Sequence, residues 1–149
     1  MAVMGADDPV VLIVEDHDDT REMLQLLLHV FGCRVIAAQD GEEAMSLAEK
    51  SLPDLILMDM KLPRLDGLSV TRMIRSHPTL SNVPIIAMTG MVTPQFQLET
   101  LNAGCTECLA KPIDIDHLER LIKALTQTAP MPLIQRRRYS PDSTAPRTV

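Results

Sequence analysis

Residues 53–67 read PDLILMDMKLPRLDG, and this stretch sets the fold class that we predict. Its apolar run Leu55–Met58 is short and unbroken, which favours a strand covered on both faces, and the run ends at the acidic residue Asp59. Four similar runs recur along the chain, which gives five predicted strands. The other four are Val10–Val14, Arg34–Ala38, Ile85–Met88 and Cys108–Ala110.

Helical patterns separate these runs, and the alternation predicts an α/β fold. It is a (βα)5 arrangement, a doubly wound five-stranded parallel sheet with helices on both faces. In the first helix we predict an N-cap at Asp19, with Glu22 three residues later as its partner. The second helix should have a cap at Asp40, and the fourth should begin at Thr93-Pro94 and end at Gly104. The expected core-facing positions are Met23, Leu26, Leu27 and Val30 in the first helix; Ala44, Leu47 and Ala48 in the second; Val70, Met73 and Ile74 in the third; Leu98 and Leu101 in the fourth; and Leu118, Leu121, Ile122 and Leu125 in the fifth.

The length of 149 residues suits one domain, which we predict to span residues 9–127. Residues 1–8 should be flexible. Helical periodicity stops after Gln127, and residues 128–149, rich in Pro and Arg, should form a disordered tail that contains no output domain. The net charge is −6, and because this tail contributes +3, the rest of the chain carries −9.

Charge and composition narrow the function classes. An acidic body with only three aromatic residues argues against nucleic acid as a partner. We find neither a signal peptide nor a membrane span, so we expect a cytoplasmic protein with no membrane partner. Cys105 and Cys108 form a C-x-x-C, but with Cys33 they complete no zinc site, and we interpret all three as buried structural thiols. The four His residues, including His17 beside an acidic pair, are interpreted as structural or exposed.

Reactive side chains follow four of the predicted strands. Ligands of an open parallel sheet bind at the carboxyl ends of its strands. At those ends stand Glu15 and Asp16, Asp59, Thr89 and Lys111. Each of them alone is most often a turn, cap or strand residue, but their coincidence at one edge of the sheet predicts a site.

The chemistry of this set favours phosphoryl transfer. Three carboxylates repel one another when ionised, and a hard divalent cation such as Mg²⁺ removes that repulsion. Asp59 could then act as a nucleophile that forms an acyl phosphate. Lys111 would neutralise one phosphoryl oxygen and Thr89 would donate a hydrogen bond to another.

Four segments carry a resemblance to a known family. VLIVEDHDD, PDLILMDMKLPRLDG, NVPIIAMTG and AGCTECLAKPI resemble, in order, the signature regions of response-regulator receiver domains, over about Val10 to Gln127. The resemblance implies a flavodoxin-like fold with strand order 2-1-3-4-5. It also implies a phosphoacceptor that takes its phosphoryl group from a sensor histidine kinase or a histidine phosphotransfer protein.

The resemblance assigns a role to each matching position. Asp59 matches the phosphoacceptor, Thr89 the switch hydroxyl and Lys111 the family's lysine, which precedes a proline by a cis bond. Glu15, Asp16, Asp59 and the backbone carbonyl of Lys61 match the ligands of Mg²⁺ (or Mn²⁺). The face of the fourth helix, fifth strand and fifth helix would contact a downstream protein. Such a chain is not an enzyme toward other substrates, since it catalyses only its own phosphorylation and dephosphorylation.

Three departures from the family pattern concern signalling. Cys108 stands where the family usually has Tyr, Phe or His, and Gly90 where Ala is common. Lys61 and Met91 occupy positions that tune the phosphoryl lifetime. We therefore predict that the switch works through the loop after Thr89 and the fourth helix, without an aromatic relay.

Two alternatives remain open at this point. A nucleotide-binding α/β enzyme needs glycines and amides in its first turn, which here is acidic over residues 15–19. A pseudo-receiver that only holds partners together would not need the full set of acids, Thr89 and Lys111. A nucleotide-binding assay distinguishes the first alternative from a receiver, and Mg²⁺ titration distinguishes the second.

Overall fold

A computed structural model describes residues 7–126 and shows five strands that alternate with five helices. The strands are Val10–Val14 (β1), Arg34–Ala38 (β2), Leu55–Asp59 (β3), Ile85–Thr89 (β4) and Glu107–Ala110 (β5). The helices are Asp18–Val30 (α1), Gly41–Ser51 (α2), Gly67–Ser76 (α3), Pro94–Ala103 (α4) and Ile115–Thr126 (α5). All strand pairs are parallel and the order is β2-β1-β3-β4-β5, which confirms the predicted fold class and strand order. No helix within residues 7–126 has the length and apolar character needed to cross a membrane.

The sheet has a separate apolar core on each face. Successive residues of a strand point to opposite faces, and β3 shows this directly. Leu55 and Leu57 pack in the core under α1 and α5, while Ile56 and Met58 pack in the core under α2, α3 and α4. All five β3 residues are buried, as the unbroken apolar run of the sequence predicts.

Helix α1 corrects two predictions. It begins at Asp18 after His17, whose side chain makes no capping hydrogen bond, so the predicted cap at Asp19 is wrong. The buried residues are Leu24 and Leu28, whereas Met23, Leu26 and Val30 are exposed. The helix carries two overlapping apolar stripes at helical spacing, and Leu27 belongs to both. Periodicity alone cannot choose between them, because the choice depends on which stripe meets the sheet.

The other helices confirm most predicted faces and caps. Asp40 caps α2 through a 2.8 Å bond from the Glu43 N–H, Thr93 caps α4, and Gly104 ends α4 in the left-handed region. The predicted faces of α2 and α5 pack inward. The predicted positions Met73 in α3 and Leu98 and Leu101 in α4 are exposed.

Helix α4 buries a polar residue where an apolar one was expected. Thr100 is fully buried because its hydroxyl donates to the Phe96 carbonyl at 2.8 Å, which satisfies the polar group inside the helix. Ala103 completes the buried side of α4. The two leucines of α4 face outward while Phe96 packs against the core, so the hydrophobicity pattern of Leu98 and Leu101 places the core face of α4 wrongly.

Two segment predictions fall largely outside the described residues. Of residues 1–8, only Asp7 and Asp8 are described, and the Asp8 carbonyl accepts a hydrogen bond from Arg34 Nε at 3.4 Å. The predictions for residues 1–6 and for the tail 128–149 lie outside the part that the structure describes.

The three thiols differ in exposure. Cys33 and Cys105 are buried, as predicted, but Cys108 is only half-buried. Burial raises the pKa of Cys33 to about 11 and also raises the pKa values of Cys105 and Cys108. All three are therefore poor thiolates near neutral pH.

We expect Ellman's reagent at mildly alkaline pH to modify Cys108 slowly and alone in the native protein. Cys33 and Cys105 should react only after unfolding, because the reagent reaches neither of them. Peptide mass mapping of the modified protein checks this order. Modification of native Cys33 as fast as Cys108 would contradict the described packing.

Candidate functional site

The carboxyl edge of the sheet brings the predicted reactive residues together. Glu15 follows β1, and its backbone N–H donates to the Ala38 carbonyl at 3.0 Å, which extends the β1–β2 pairing by one residue. Arg21 of α1 holds the same residue from the other side, since its Nη1 donates to the Glu15 carbonyl at 2.9 Å. Asp59 is the last residue of β3, and Lys111 follows β5. The parallel arrangement of the strands thus fixes the backbone position from which each of these side chains extends.

Asp59 lies at the centre of the site and is 2% exposed. One carboxylate oxygen, Oδ1, accepts the Lys61 N–H at 3.0 Å. The other, Oδ2, accepts from Lys111 Nζ at 3.0 Å. Lys111 Nζ is also 3.7 Å from Glu15 Oε1, so one ammonium serves two buried carboxylates. As predicted, Lys111 precedes Pro112 by a cis bond.

The negative charge of the acidic cluster around Asp59 exceeds the positive charge that neighbouring residues supply. Glu15 is fully buried, and burial together with the Asp59 charge raises its pKa. Glu15 Oε1 and Asp16 Oδ1 are buried and accept no hydrogen bond from the described residues. One ligand atom each from Glu15, Asp16, His17 and Asp59 lies within 4.8 Å of the others. The carboxylate oxygens of Glu15, Asp16 and Asp59 fit a hard divalent cation such as Mg²⁺ or Mn²⁺.

Thr89 reaches the same edge but hydrogen-bonds away from Asp59. Its hydroxyl oxygen accepts the Met91 N–H at 2.9 Å and lies 3.4 Å from the Met91 carbonyl. Thr89 is 5% exposed, and this contact with Met91 holds its hydroxyl against the loop that follows β4. Its role toward a phosphoryl group stays a prediction, as does the role of the Lys61 carbonyl toward a metal.

His17 belongs to the cluster, although the sequence interpretation set it aside as a structural or exposed residue. The residue is exposed, as expected, yet Nδ1 is 3.1 Å from Glu15 Oε2 and 3.3 Å from Asp16 Oδ1. The hydrogen bond to Glu15 and the Asp16 charge raise the pKa of His17. Its only sequence signal is its place directly after the acidic pair, which does not fix the direction of the ring.

A second feature absent from the sequence interpretation is the close approach of α3 to β3. Gly67 begins α3, and its N–H donates to the Met60 carbonyl at 3.1 Å. A Cβ on Gly67 would lie 2.7 Å from Met60 Cα and 2.8 Å from the Asp59 carbonyl oxygen. The backbone that carries Asp59 therefore rests directly on the first turn of α3.

We expect Lys111→Met to lower the free energy of unfolding by about 2 kcal/mol without metal, because it leaves the carboxylates of Asp59 and Glu15 without their shared cation. Added Mg²⁺ should recover much of that loss. Thermal unfolding with EDTA and then with Mg²⁺ measures both effects. Lys123→Met is the control, since Lys123 pairs with Glu119 on the exposed side of α5. Equal losses in the two variants would contradict the role of Lys111 as the shared cation of two buried carboxylates.

Comparison with known proteins places this geometry in a family. The profile of the response regulator receiver domain family matches residues 11–123. The chain is 33% identical over 114 residues to the polar-differentiation response regulator DivK of Brucella anthropi, which covers 76% of this chain and 93% of DivK. Some curated relatives are longer: the chain spans 44% of the probable transcriptional regulator ycf27 of Guillardia theta and 26% of the regulatory protein AtoC of Escherichia coli.

Solved structures show the same similarity. A putative response regulator from Chloroflexus aurantiacus superposes with a TM-score of 0.76 at 34% identity, over 80% of this chain and 98% of that one. The receiver domain of the sensor histidine kinase PA1611 from Pseudomonas aeruginosa gives a TM-score of 0.74 at 36% identity, with the same coverage. That structure has a magnesium ion coordinated in its active-site cleft.

Proposed function

The chain belongs to the response regulator receiver domain family of two-component systems, and from this premise we propose that it accepts a phosphoryl group on Asp59 with Mg²⁺ or Mn²⁺ as cofactor. The observation that carries the proposal is the buried Asp59 carboxylate, 3.0 Å from Lys111 Nζ and surrounded by acids with unsatisfied oxygens. A carboxylate in this setting is positioned for covalent chemistry, since a purely structural ion pair would not require two further acids beside it.

The proposed reaction is an in-line displacement at phosphorus. A carboxylate oxygen of Asp59 forms a P–O bond as the P–N bond of a phosphohistidine breaks and its electron pair returns to the imidazole. Lys111 neutralises charge on a phosphoryl oxygen, and the Lys61 N–H fixes the orientation of the Asp59 carboxylate. Thr89 would exchange its bond to Met91 for one to the phosphoryl group.

The residues proposed to hold the metal are Glu15, Asp16, Asp59 and the carbonyl of Lys61. When bound, the metal would neutralise the carboxylates and the phosphoryl oxygens. Within the acidic pair, the Asp16 side chain is 29% exposed whereas Glu15 is fully buried, so we propose Asp16 as the more direct ligand and Glu15 as its support.

We propose two kinds of protein partner. The phosphoryl donor is a sensor histidine kinase or a histidine phosphotransfer protein, as family membership suggests. The downstream partner would bind the face of α4, β5 and α5. Exposed apolar residues beside this face support that assignment, namely Met91, Val92, Leu98, Leu101 and Ile115.

The switch in this chain is proposed to act through the β4–α4 loop. Cys108 is small and half-buried, and it packs against the core under α4. A Cβ on Gly90 would meet no atom of the described residues within 4 Å, so the loop after Thr89 is open on that side. Breaking the Thr89–Met91 hydrogen bond would release this loop directly.

Incubation of the full chain with acetyl phosphate and Mg²⁺ tests the proposal. Intact-mass measurement should show the addition of one phosphoryl group, and EDTA should prevent it. A chain that binds Mg²⁺ but is never labelled would act as a pseudo-receiver, and absence of both would overturn the proposed site.

A further inference from the structure

His17 places a nitrogen ligand inside an otherwise all-oxygen cluster. Its Nδ1 lies 3.1 Å from Glu15 Oε2 and 3.3 Å from Asp16 Oδ1. Ligand atoms of these three residues and of Asp59 all fall within 4.8 Å of one another. A cation shared by the carboxylates is therefore within reach of the imidazole.

Buried oxygens with no hydrogen bond point independently to a cation. Glu15 is fully buried, yet within residues 7–126 its Oε1 accepts no hydrogen bond and has only the Lys111 ammonium as an ion-pair partner, at 3.7 Å. Asp16 Oδ1 is also buried and accepts no hydrogen bond from the described residues, although His17 Nδ1 lies 3.3 Å away. An unsatisfied buried acceptor costs free energy, and a bound cation removes that cost.

The imidazole can change from hydrogen-bond donor to ligand with little disturbance. Nδ1 faces two carboxylate oxygens, so in this arrangement it carries the ring proton. To bind a cation through Nδ1, the proton must be on Nε2 instead. The side chain of His17 is 73% exposed, so Nε2 has water as a partner and the ring can turn without moving the core.

We propose that His17 is an additional ligand of this site and gives it a preference for divalent transition ions over Mg²⁺. The proposal rests on the metal site of the proposed function. Imidazole nitrogen suits ions such as Co²⁺ and Ni²⁺, whereas Mg²⁺ prefers oxygen and keeps several waters. The carboxylates hold either kind of ion, so the nitrogen is the part of the cluster that discriminates between them.

The test compares Co²⁺ and Mg²⁺ binding to the untagged full chain by calorimetric titration. His17→Gln should weaken Co²⁺ binding about 10-fold and Mg²⁺ binding by less than about 2-fold. His29→Gln is the matched control, because His29 is an exposed His in the last turn of α1, far from its start at His17, and it should change neither affinity. Equal effects of His17→Gln on the two ions, or no effect on Co²⁺, would overturn the proposal.

A spectroscopic arm separates ligation from indirect effects. Pulsed electron paramagnetic resonance of the Mn²⁺-loaded chain should show modulation from a coordinated nitrogen, and His17→Gln should remove it. Modulation that is absent from the unmodified protein, or that persists in His17→Gln, contradicts a His17 ligand. Failure of the proposed function has a different signature, since then neither ion would bind the unmodified chain, or Asp59→Asn would bind both as tightly.

Discussion

Asp59→Asn should abolish phosphorylation by acetyl phosphate while raising the free energy of unfolding of the metal-free protein by about 1 kcal/mol. The amide cannot replace the nucleophilic carboxylate, so labelling is lost completely. Stability rises because one of three crowded negative charges is removed, although the ion pair with Lys111 is lost too. The amide can still accept the Lys61 N–H.

The stability gain should depend on pH in a definite direction. Burial and the Asp59 charge raise the pKa of Glu15 in the folded state, so Glu15 favours folding below its unfolded pKa. That contribution is lost as the pH rises through the folded pKa, where Glu15 ionises beside Asp59. The advantage of Asp59→Asn is therefore largest at neutral pH and shrinks under acid conditions.

Intact-mass analysis and thermal unfolding in EDTA measure the two effects. Mg²⁺ should raise the Tm of the unmodified protein more than that of Asp59→Asn, because ligand binding stabilises by mass action. Asp19→Asn is the control, since Asp19 is an exposed acid in the first turn of α1, outside the cluster. Undiminished labelling of Asp59→Asn would show that another residue accepts the phosphoryl group.

The convergence of the candidate site residues was predictable from the sequence because strand ends carry their own signal. Glu15, Asp59 and Lys111 each follow a short apolar run, and parallel pairing of those runs leaves one place for them to meet. The cap at Asp40 was predictable because its bond from the Glu43 N–H spans only three residues, although the same spacing at Asp19 and Glu22 gave a wrong cap.

The direction of side chains was not predictable, because it depends on tertiary contacts. In α1 two apolar stripes compete, and only contact with the sheet selects Leu24 and Leu28. Likewise, no local sequence pattern predicts that the His17 ring turns toward Glu15. Nor does any local pattern predict that the Thr89 hydroxyl bonds to Met91 while Asp59 bonds to Lys111.

Gly67→Ala should lower the free energy of unfolding by about 3 kcal/mol, on the order of 10 °C in Tm. The added Cβ would stand 2.7 Å from Met60 Cα and 2.8 Å from the Asp59 carbonyl oxygen. Both are backbone atoms of the segment that carries the site, so relief requires α3 to move away from β3. The Asp59 carboxylate would then shift relative to Lys111, and labelling by acetyl phosphate should slow as well.

Gly90→Ala is the matched control, because the same methyl group added there meets no atom of residues 7–126 within 4 Å and the backbone is outside the left-handed region. Its stability should equal that of the unmodified protein or exceed it by about 0.5 kcal/mol, since alanine restricts the unfolded chain. Calorimetric Tm values of the two variants decide the point. A Gly67→Ala protein as stable as Gly90→Ala would mean that α3 does not rest on the backbone of Asp59 and Met60, and the support of the site by α3 would have to be abandoned.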